Sequence, residues 1–526
     1  MMIDPKSCDT TVFEALLDAR QRHGGSKLAI EDADRQKLDY NRLLLGSLVL
    51  GGRLTAGTQR GETIGVLLPN GAGLAVTLFA LKAFGRVPAL LNFTAGLRNI
   101  VSAAKTTLLH TVVTARRFVD AAKLEPIIAA LEKTEIVPGT RIKIVYLEDV
   151  RAQIGALDKA KGFARSKYAR RFHHSQGMKP DSPAVVLFTS GTEGQPKGVV
   201  LTNRNIVTNA RQMFAHADGA FTAADVVFNP LPMFHSFGLT AGTVMPVLNG
   251  MQVVLYPTPL HYRQIPKLIR EKHASVLFAT DTFLAGYARA AEEGDLASMR
   301  FVVAGAERVK DKTRQLWDAI GTELLEGYGA TECSPVIACN VPGRNHRGTV
   351  GRALPGMDLA LEPVEGIATG GQLKVRGPNV MAGYVKADKP GVVVPPDHGW
   401  HDTGDIVEID AEGFITIKGR AKRFAKIGGE MVSLAAVETL AANAWPDGQH
   451  VVVNLPDARK GEQLILVTDT AEADKDALLE LARQQGFPEL WVPKHILVVN
   501  NIPVMGSGKV DLAATTALVK QTRPLL

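Results

Sequence analysis

An apolar run that ends in a loop of hydroxyls, glycines and one lysine occupies residues 185–199, VVLFTSGTEGQPKGV. Backbone N–H groups approach a phosphate closely where no Cβ intrudes, hydroxyls donate hydrogen bonds, and an ammonium group neutralises charge. The segment is not a Walker A loop, because no Gly-Lys-Ser/Thr follows a glycine at the required spacing. It predicts a phosphate-binding loop with these candidate contacts: Thr189, Ser190, Gly191, Thr192, Gly194 and Lys197.

Three later segments also combine glycines with charged residues. They are EGYGATE at 326–332, GWHDTGD at 399–405 and GSGK at 506–509. Each is weak alone. Asp405 in a Thr-Gly-Asp turn is typical of a simple Asx turn, and Lys509 is typical of an exposed glycine turn. His401, Asp402 and Asp405 match no metal-ligand spacing.

The elements that position these motifs are predicted from hydrophobic patterning. Apolar, β-branched runs at 63–68, 252–256, 275–278 and 301–304 alternate with amphipathic stretches such as 262–272. Such alternation predicts βα units and mainly parallel sheets that are covered by helices.

The character of the chain changes after about Leu354. Short alternating strands at 372–376 and 414–418 are separated by glycine turns, and a compact α/β segment follows Arg420. The predicted fold is α/β, with a large N-terminal domain of two parallel-rich α/β subdomains and a small β-rich subdomain. A small mobile α/β C-terminal domain follows it. The predicted domains span 1–420 and 421–526.

Composition is that of a globular enzyme. The 526 residues are 46% hydrophobic and 21% charged, with a formal net charge of +7. The diffuse positive excess favours anionic small molecules, acidic proteins or anionic lipids, and no nucleic-acid-binding motif is present. Three cysteines without CxxC and a start without an apolar h-region predict a cytoplasmic location. The uncharged run 239–257 contains Pro246 and Gly250, which favours a buried helix–turn–strand over a membrane span.

The motifs, taken in order, resemble the adenylate-forming superfamily of acyl-CoA synthetases, luciferases and peptide-synthetase adenylation domains. The resemblance implies ATP and Mg²⁺ as cofactors and an acyl-adenylate intermediate. It implies that Thr331 contacts the α-phosphate or the carboxylate and that Glu332 holds Mg²⁺. It also implies that Tyr328 and Gly329 lie against adenine opposite Gly305 and Ala306, and that Asp405 binds ribose with the help of Arg420.

The same resemblance assigns roles to the C-terminal segment. Lys509 is the predicted adenylation lysine, and Lys422 the predicted hinge about which the small domain rotates. Rotation would withdraw Lys509 and bring Gly428 and Gly429 to the site, where they would leave room for a pantetheine arm.

The predicted acid substrate is a fatty acid. No Asp or Glu occurs between Val226 and Arg270, where a carboxylate would be needed for an amino-acid substrate. The apolar stretch suits an acyl tunnel, although a plain core would look the same. His235 is a candidate gate of this pocket or, alternatively, a structural hydrogen-bonded histidine.

Segments 301–317, 348–357 and 421–438 resemble the synthetase half of bifunctional acyl-ACP synthetase/2-acylglycerophosphoethanolamine acyltransferases. None of the thirteen histidines begins the His-x4-Asp motif of the acyltransferase half, so that half is not expected in this sequence, and a separate acyltransferase is a candidate partner. Asp281 departs from the family pattern, which more often has an uncharged residue there. The predicted thiol acceptor is acyl carrier protein, with coenzyme A as the alternative. A non-catalytic lipid- or nucleotide-binding module and a luciferase-like oxygenase are more remote alternatives.

A basic, partly aromatic run occupies residues 159–174, KAKGFARSKYARRFHH. A solvated connecting helix is one interpretation. The other is a docking patch for an acidic protein or a lipid surface, which would place the protein peripherally at the inner membrane.

Overall fold

The computed structural model describes residues 8–190, 195–365, 367, 369–427, 430–457, 461–504 and 510–522. The chain divides into two compact units. One comprises Met1–Asp358 with Arg376–His401, and the other Leu359–Val375 with Asp402–Leu526.

The first unit contains two large sheets. Within the described residues, one has nine strands, in the spatial order Arg352–Ala353, Val336–Cys339, Glu323–Gly329, Phe301–Ala304, Val276–Ala279, Val226–Asn229, Gln252–Leu255, Leu28–Asp32 and Lys37–Asp39. Its central strands are parallel and both edges are antiparallel. The central strands are fully or mostly buried β-branched runs, which is why three of them were predictable from sequence composition.

The second large sheet has eight strands in the described part of the chain. Their order is Lys389–Val394, Gly383–Lys386, Pro196–Thr202, Pro183–Ser190, Val87–Leu90, Thr63–Val66, Thr111–Thr114 and Lys143–Tyr146. The last five are parallel, and the first three join by antiparallel pairing. A small hairpin, Glu135–Val137 with Thr140–Arg141, stands apart.

Helices cover these sheets. In the first unit the described α-helices are Val12–His23, Tyr40–Leu54, Ala72–Ala83, Leu97–Thr106, Arg116–Ala122, Glu125–Lys133, Leu147–Ala152, Ala156–Lys167, Ala169–His174, Asn203–His216, Met245–Leu248, Gln264–Lys272, Asp281–Ala290 and Asp311–Ile320. Side-chain caps fix several starts. Thr202 accepts a hydrogen bond from the Asn205 backbone N–H, and the Asn205 side chain accepts from the Thr202 N–H.

The uncharged run 239–257 is a helix–turn–strand, as predicted. A π-helix, Phe237–Val244, leads into Met245–Leu248 and then into the strand Gln252–Leu255. Asn229 donates hydrogen bonds to the Gly238 carbonyl and the Thr243 hydroxyl, both at 3.0 Å, and so ties the π-helix to the sheet. Among the described residues, no helix is both long and apolar enough to cross a bilayer.

The second unit contains two smaller sheets. One has the order Asp358–Glu362, Gly371–Arg376, His401–Ile409 and Ile415–Arg420. In the other, Glu430–Ser433, Phe424–Ile427, Gly461–Thr468 and His450–Asp457 are adjacent, and His495–Val498 pairs with Gly461–Thr468. The helices Leu434–Ala444, Lys475–Gln484 and Leu512–Thr522 accompany it. Buried apolar residues of this C-terminal segment, between Ala425 and Val519, form hydrophobic clusters of their own within the described residues. The division into units groups the small β-rich sheet with the C-terminal segment, and the boundary at 420/421 remains a prediction.

Candidate active site

The predicted phosphate loop connects two antiparallel strands. Pro183–Ser190 pairs with Pro196–Thr202, with Ser190 opposite Pro196 and Thr189 opposite Lys197. Gly191, Thr192 and Gly194 lie outside the described residues. The hairpin therefore places Thr189 and Lys197 side by side at the base of the loop, as a joint phosphate site requires.

Lys197 faces an aromatic ring that sequence reasoning missed. Its ammonium lies 5.5 Å from the ring centroid of Tyr384, within cation–π range. The Tyr384 hydroxyl donates a 2.7 Å hydrogen bond to Oε1 of Glu332. Strand Gly383–Lys386 pairs directly with Pro196–Thr202, with Tyr384 opposite Val199. The lysine of the predicted phosphate loop and the predicted magnesium ligand thus both contact Tyr384.

Thr331 and Glu332 lie in a tight 3₁₀ turn, Thr331–Cys333. The Met381 N–H donates to the Glu332 carbonyl at 2.7 Å, which anchors the turn to the strand that carries Tyr384. The buried Ser236 hydroxyl lies 3.5 Å from the Thr331 hydroxyl, a long contact. The turn thereby joins the phosphate hairpin to the apolar stretch that begins near His235.

Gly329 allows this turn to close. The Ala330 N–H donates to the Pro335 carbonyl at 2.9 Å, and a Cβ on Gly329 would stand only 2.1 Å from that carbonyl oxygen. Neither the backbone at Gly329 nor that at Pro335 can move away from this clash without displacing Thr331 and Glu332.

Gly329→Ala should therefore lower adenylation by about 10²-fold, the effect of misplacing reacting groups by about 1 Å. It should also destabilise the fold by roughly 1–3 kcal/mol through overpacking. The matched control is Gly73→Ala, because Gly73 lies in a helix and its Cβ would meet nothing within 4 Å. Pyrophosphate exchange and thermal unfolding measure both effects, and equal activity of the two variants would contradict the role of Gly329.

The predicted adenine-binding residues lie on neighbouring strand ends. Strands Phe301–Ala304 and Glu323–Gly329 are parallel neighbours, so Gly305 and Tyr328 lie near each other in the same sheet. Phe237 fills the space over Gly305, because a Cβ there would stand 3.0 Å from its ring. Ala306 is exposed with φ 67°, a left-handed conformation that costs about 1–3 kcal/mol for a non-glycine residue. Tyr328 is 8% exposed. Their contact with a nucleotide remains a prediction.

Asp281 supports the loop that carries Gly305 and Ala306. Its carboxylate accepts a 3.0 Å hydrogen bond from the Lys310 N–H, and in return the Glu307 carboxylate accepts from the Thr282 N–H at 3.0 Å. Burial raises the pKa of Asp281, and the hydrogen bond from the Lys310 N–H opposes the rise. The residue that departs from the family pattern is thus part of a reciprocal clamp between this loop and the helix Asp281–Ala290.

His235 is half-buried beside Phe234, at a ring-centroid distance of 4.7 Å. Its carbonyl accepts from the Leu239 N–H at 2.9 Å at the start of the π-helix. The apolar residues that follow pack into the main core. The gate and tunnel roles therefore remain predictions.

Two titratable groups, one in the EGYGATE segment and one directly after it, are structural. Glu326 is buried and accepts a hydrogen bond from Arg314; burial raises its pKa, and the arginine opposes that rise. Cys333 is fully buried, which raises the pKa of its thiol well above the usual value. Neither group is placed to exchange protons with a substrate.

Asp405 and Arg420 lie in the second unit. They stand opposite each other on paired strands, with Arg420 Nε 3.0 Å from Asp405 Oδ1. The Asx-type bond of this segment belongs to Asp402, whose Oδ1 accepts from the Gly404 N–H at 2.8 Å. No metal-binding cluster of three or more His, Cys, Asp or Glu side chains is found in the described ranges. Ribose binding by Asp405 remains a prediction.

Lys422 is exposed in the short turn Ala421–Arg423, where a hinge residue would need freedom to move. Its neighbour Arg423 is fixed, because it donates to the Val452 carbonyl at 2.8 Å and pairs with Glu438. Gly428, Gly429 and Lys509 lie outside the described residues.

The family model described as AMP-binding enzyme matches residues 17–385. The chain belongs to the AMP-binding enzyme family. This family is the adenylate-forming superfamily that the sequence motifs resemble, so the resemblance is confirmed. ATP and Mg²⁺ are confirmed as the cofactors. The residues present fit these cofactors. Lys197 has a cationic side chain at the base of the predicted phosphate loop, and Glu332 would offer one carboxylate to Mg²⁺, which is usually bound by one or two carboxylates beside substrate phosphates.

Several relatives are fatty-acid–CoA ligases. The long-chain-fatty-acid–CoA ligase of Yersinia pestis is 27% identical over 494 residues, which cover 86% of this chain and 84% of that protein. The long-chain ligase of Bacillus subtilis is 32% identical over 345 residues, 62% of this chain and 60% of that protein. In that second alignment the chain therefore spans about three-fifths of the relative's length.

Solved structures confirm the predicted fold. ATP-bound MatB from Rhodopseudomonas palustris has a TM-score of 0.80 at 23% identity, and covers 98% of this chain and 99% of its own. The anthranilate CoA ligase AuaEII with anthranoyl-AMP has a TM-score of 0.81 at 18% identity, covering 99% and 100%. At these identities the likeness concerns the fold alone.

Proposed function

We propose that the chain activates a fatty acid with ATP and transfers the acyl group to the thiol of coenzyme A. In the first step a carboxylate oxygen forms a bond to the α-phosphorus of ATP, and the bond from that phosphorus to pyrophosphate breaks. In the second, the thiol sulfur attacks the acyl carbonyl, AMP leaves, and the thiol proton is released to solvent.

The observation that carries the adenylation step is the chain of contacts from Lys197 through Tyr384 to Glu332. Two anions must meet in this reaction, so the site has to supply positive charge and fixed positions rather than a covalent nucleophile. Lys197 supplies charge at the phosphate hairpin, and Glu332 would hold Mg²⁺. The bound Mg²⁺ would add positive charge at the phosphoryl oxygens.

An apolar acid is supported by the stretch that follows Ser236. It begins beside Thr331 and includes the π-helix Phe237–Val244. It lies within residues 226–270, which contain no Asp or Glu. The long- and medium-chain ligases among the relatives support the same substrate class.

Coenzyme A is the preferred acceptor because the fatty-acid relatives are named as CoA ligases. Acyl carrier protein is the second candidate, favoured by the resemblance of segments 301–317, 348–357 and 421–438 to acyl-ACP synthetases. A separate acyltransferase could then use the product.

Carboxylate-dependent ATP–pyrophosphate exchange, measured with acids from acetate to stearate, tests the first step. Exchange that rises with chain length supports the proposal, and its absence with every acid would leave only a binding module. Parallel assays of acyl transfer to coenzyme A and to holo-acyl carrier protein then choose the acceptor. Transfer to the carrier protein alone would reject coenzyme A.

A further inference from the structure

One face of the helix Ala156–Lys167 packs against the rest of the first unit. Gly162 packs so closely against Val49 that a Cβ would stand 2.3 Å from it. Arg165 lies over the Phe84 ring at 5.1 Å. Asp158 accepts two hydrogen bonds from Arg53, at 2.9 and 2.8 Å. These contacts fix which face of the helix points outward.

The outward face carries large apolar side chains. Leu157 is 66% exposed and Phe163 55% exposed. Ala160 and Ala164 are exposed between them, and the spacing of three and four residues puts all four on one face. Tyr168, just beyond the helix, is 68% exposed. The middle of this exposed strip is formed by the two alanines and is therefore apolar.

Positive charge flanks this apolar strip. Lys159, Lys161 and Lys167 are exposed on the same helix, and the Lys167 ammonium lies 5.0 Å from the Phe163 ring. Between residues 156 and 174 the sole acid, Asp158, is held by Arg53, and Arg170 pairs with Asp18. The other exposed lysine and arginine residues of this stretch are Lys159, Lys161, Lys167 and Arg171. The surface is therefore strongly cationic at its rim.

We propose that this surface docks on an anionic lipid bilayer. An apolar centre with lysines at its sides suits a membrane interface, because the lysine stems cover apolar surface while the ammonium groups reach headgroup phosphates. An acidic protein would match the charges but would also have to supply apolar side chains opposite Leu157 and Phe163, whereas a bilayer offers acyl chains to the whole face. The basic apolar face comprises Leu157, Lys159, Lys161, Phe163, Lys167 and Tyr168.

Vesicle sedimentation of the full chain, without substrate, tests the proposal independently of enzymatic function. We expect binding to phosphatidylcholine vesicles that contain phosphatidylglycerol, and little binding to phosphatidylcholine alone. Binding should weaken as salt rises from about 0.1 M to about 1 M, because the Debye length falls from about 10 to about 3 Å.

Charge reversal and apolar truncation separate the two contributions. Lys159→Glu, Lys161→Glu and Lys167→Glu together should lower the partition coefficient by at least about 100-fold, since each lysine at an anionic surface contributes roughly fivefold and each glutamate adds repulsion. Leu157→Ala with Phe163→Ala should lower it about tenfold or more. The matched control reverses three exposed lysines on other elements, Lys105, Lys133 and Lys143, and should bind nearly as wild type. Thermal unfolding checks that each variant folds.

Equal loss in the control triple would overturn the proposal, because it would show that net charge alone drives binding. So would unchanged binding by the charge-reversed helix. Retention on immobilised holo-acyl carrier protein, with no binding to anionic vesicles, would also overturn it and assign the surface to an acidic protein.

Discussion

Lys509→Ala should lower fatty-acid adenylation by about 10²–10³-fold, the effect of removing one preorganised charged donor. Thioester formation from supplied acyl-adenylate should stay close to wild type, because the predicted rotation withdraws Lys509 before the thiol attacks. Pyrophosphate exchange measures the first half-reaction, and transfer of preformed acyl-adenylate to coenzyme A measures the second.

Lys509 lies outside the described residues, whereas the residues that flank its segment are joined by backbone contacts. Val504 and Val510 form an antiparallel bridge, and the Asp511 N–H donates to the Pro503 carbonyl at 2.8 Å. Val510 packs against a hydrophobic cluster of the C-terminal segment. The ends of the segment that carries Lys509 are therefore fixed side by side on a packed core.

Lys494→Ala is the matched control, because Lys494 is an exposed lysine elsewhere in the predicted C-terminal domain. It should leave both half-reactions intact. If Lys509→Ala lowered both half-reactions equally, the idea that one rotation switches the chemistry would be wrong, whereas the adenylation site itself would stand.

The central strands were predictable because burial leaves a local signature. Phe301–Ala304 has the predicted bounds, and Gln252–Leu255 differs by one residue. Buried parallel strands are continuous β-branched runs, so their composition alone identifies them. The antiparallel edges were not predicted, since Gly383–Lys386 and Pro196–Thr202 are far apart in the chain and their pairing leaves no local pattern.

The same reason explains the site residues that were missed. Tyr384 and Ser236 act through partners that are distant in sequence, Glu332 and Thr331. Nothing in their immediate neighbours distinguishes them from ordinary strand and loop residues. Asp281 was noticed as a departure, but its role became visible only through its contact with Lys310. Glycine-rich motifs, by contrast, were predictable because their residue types themselves permit close backbone approach.

Glu332→Gln should lower Mg²⁺-dependent turnover by about 10²-fold or more, because it removes the negative charge but keeps an oxygen of the same shape. The amide oxygen can still accept the Tyr384 hydrogen bond, so the fold should be nearly unaffected. Saturating activity should require a higher Mg²⁺ concentration, while fatty-acid binding changes little.

Tyr384→Phe separates the hydrogen bond from the charge. It removes only the hydroxyl that donates to Glu332 at 2.7 Å and keeps the ring near Lys197. A hydrogen bond to a charged group contributes about 1.5–3 kcal/mol, so we expect the adenylation rate to fall by at least about tenfold. The Mg²⁺ concentration that gives saturating activity should shift less than for Glu332→Gln. Glu132→Gln, on an exposed helix position, is the control for losing one carboxylate.

The pattern across these variants decides the role of Glu332. A metal ligand requires that Glu332→Gln shift the Mg²⁺ titration more than it shifts the affinity for fatty acid. If both changed equally, Glu332 would act by holding the Thr331–Cys333 turn, which Met381 already anchors through its backbone. Tyr384→Phe removes only the hydroxyl that donates to Glu332. If it matched Glu332→Gln in every measurement, the hydrogen bond from Tyr384 rather than the carboxylate charge would determine the activity.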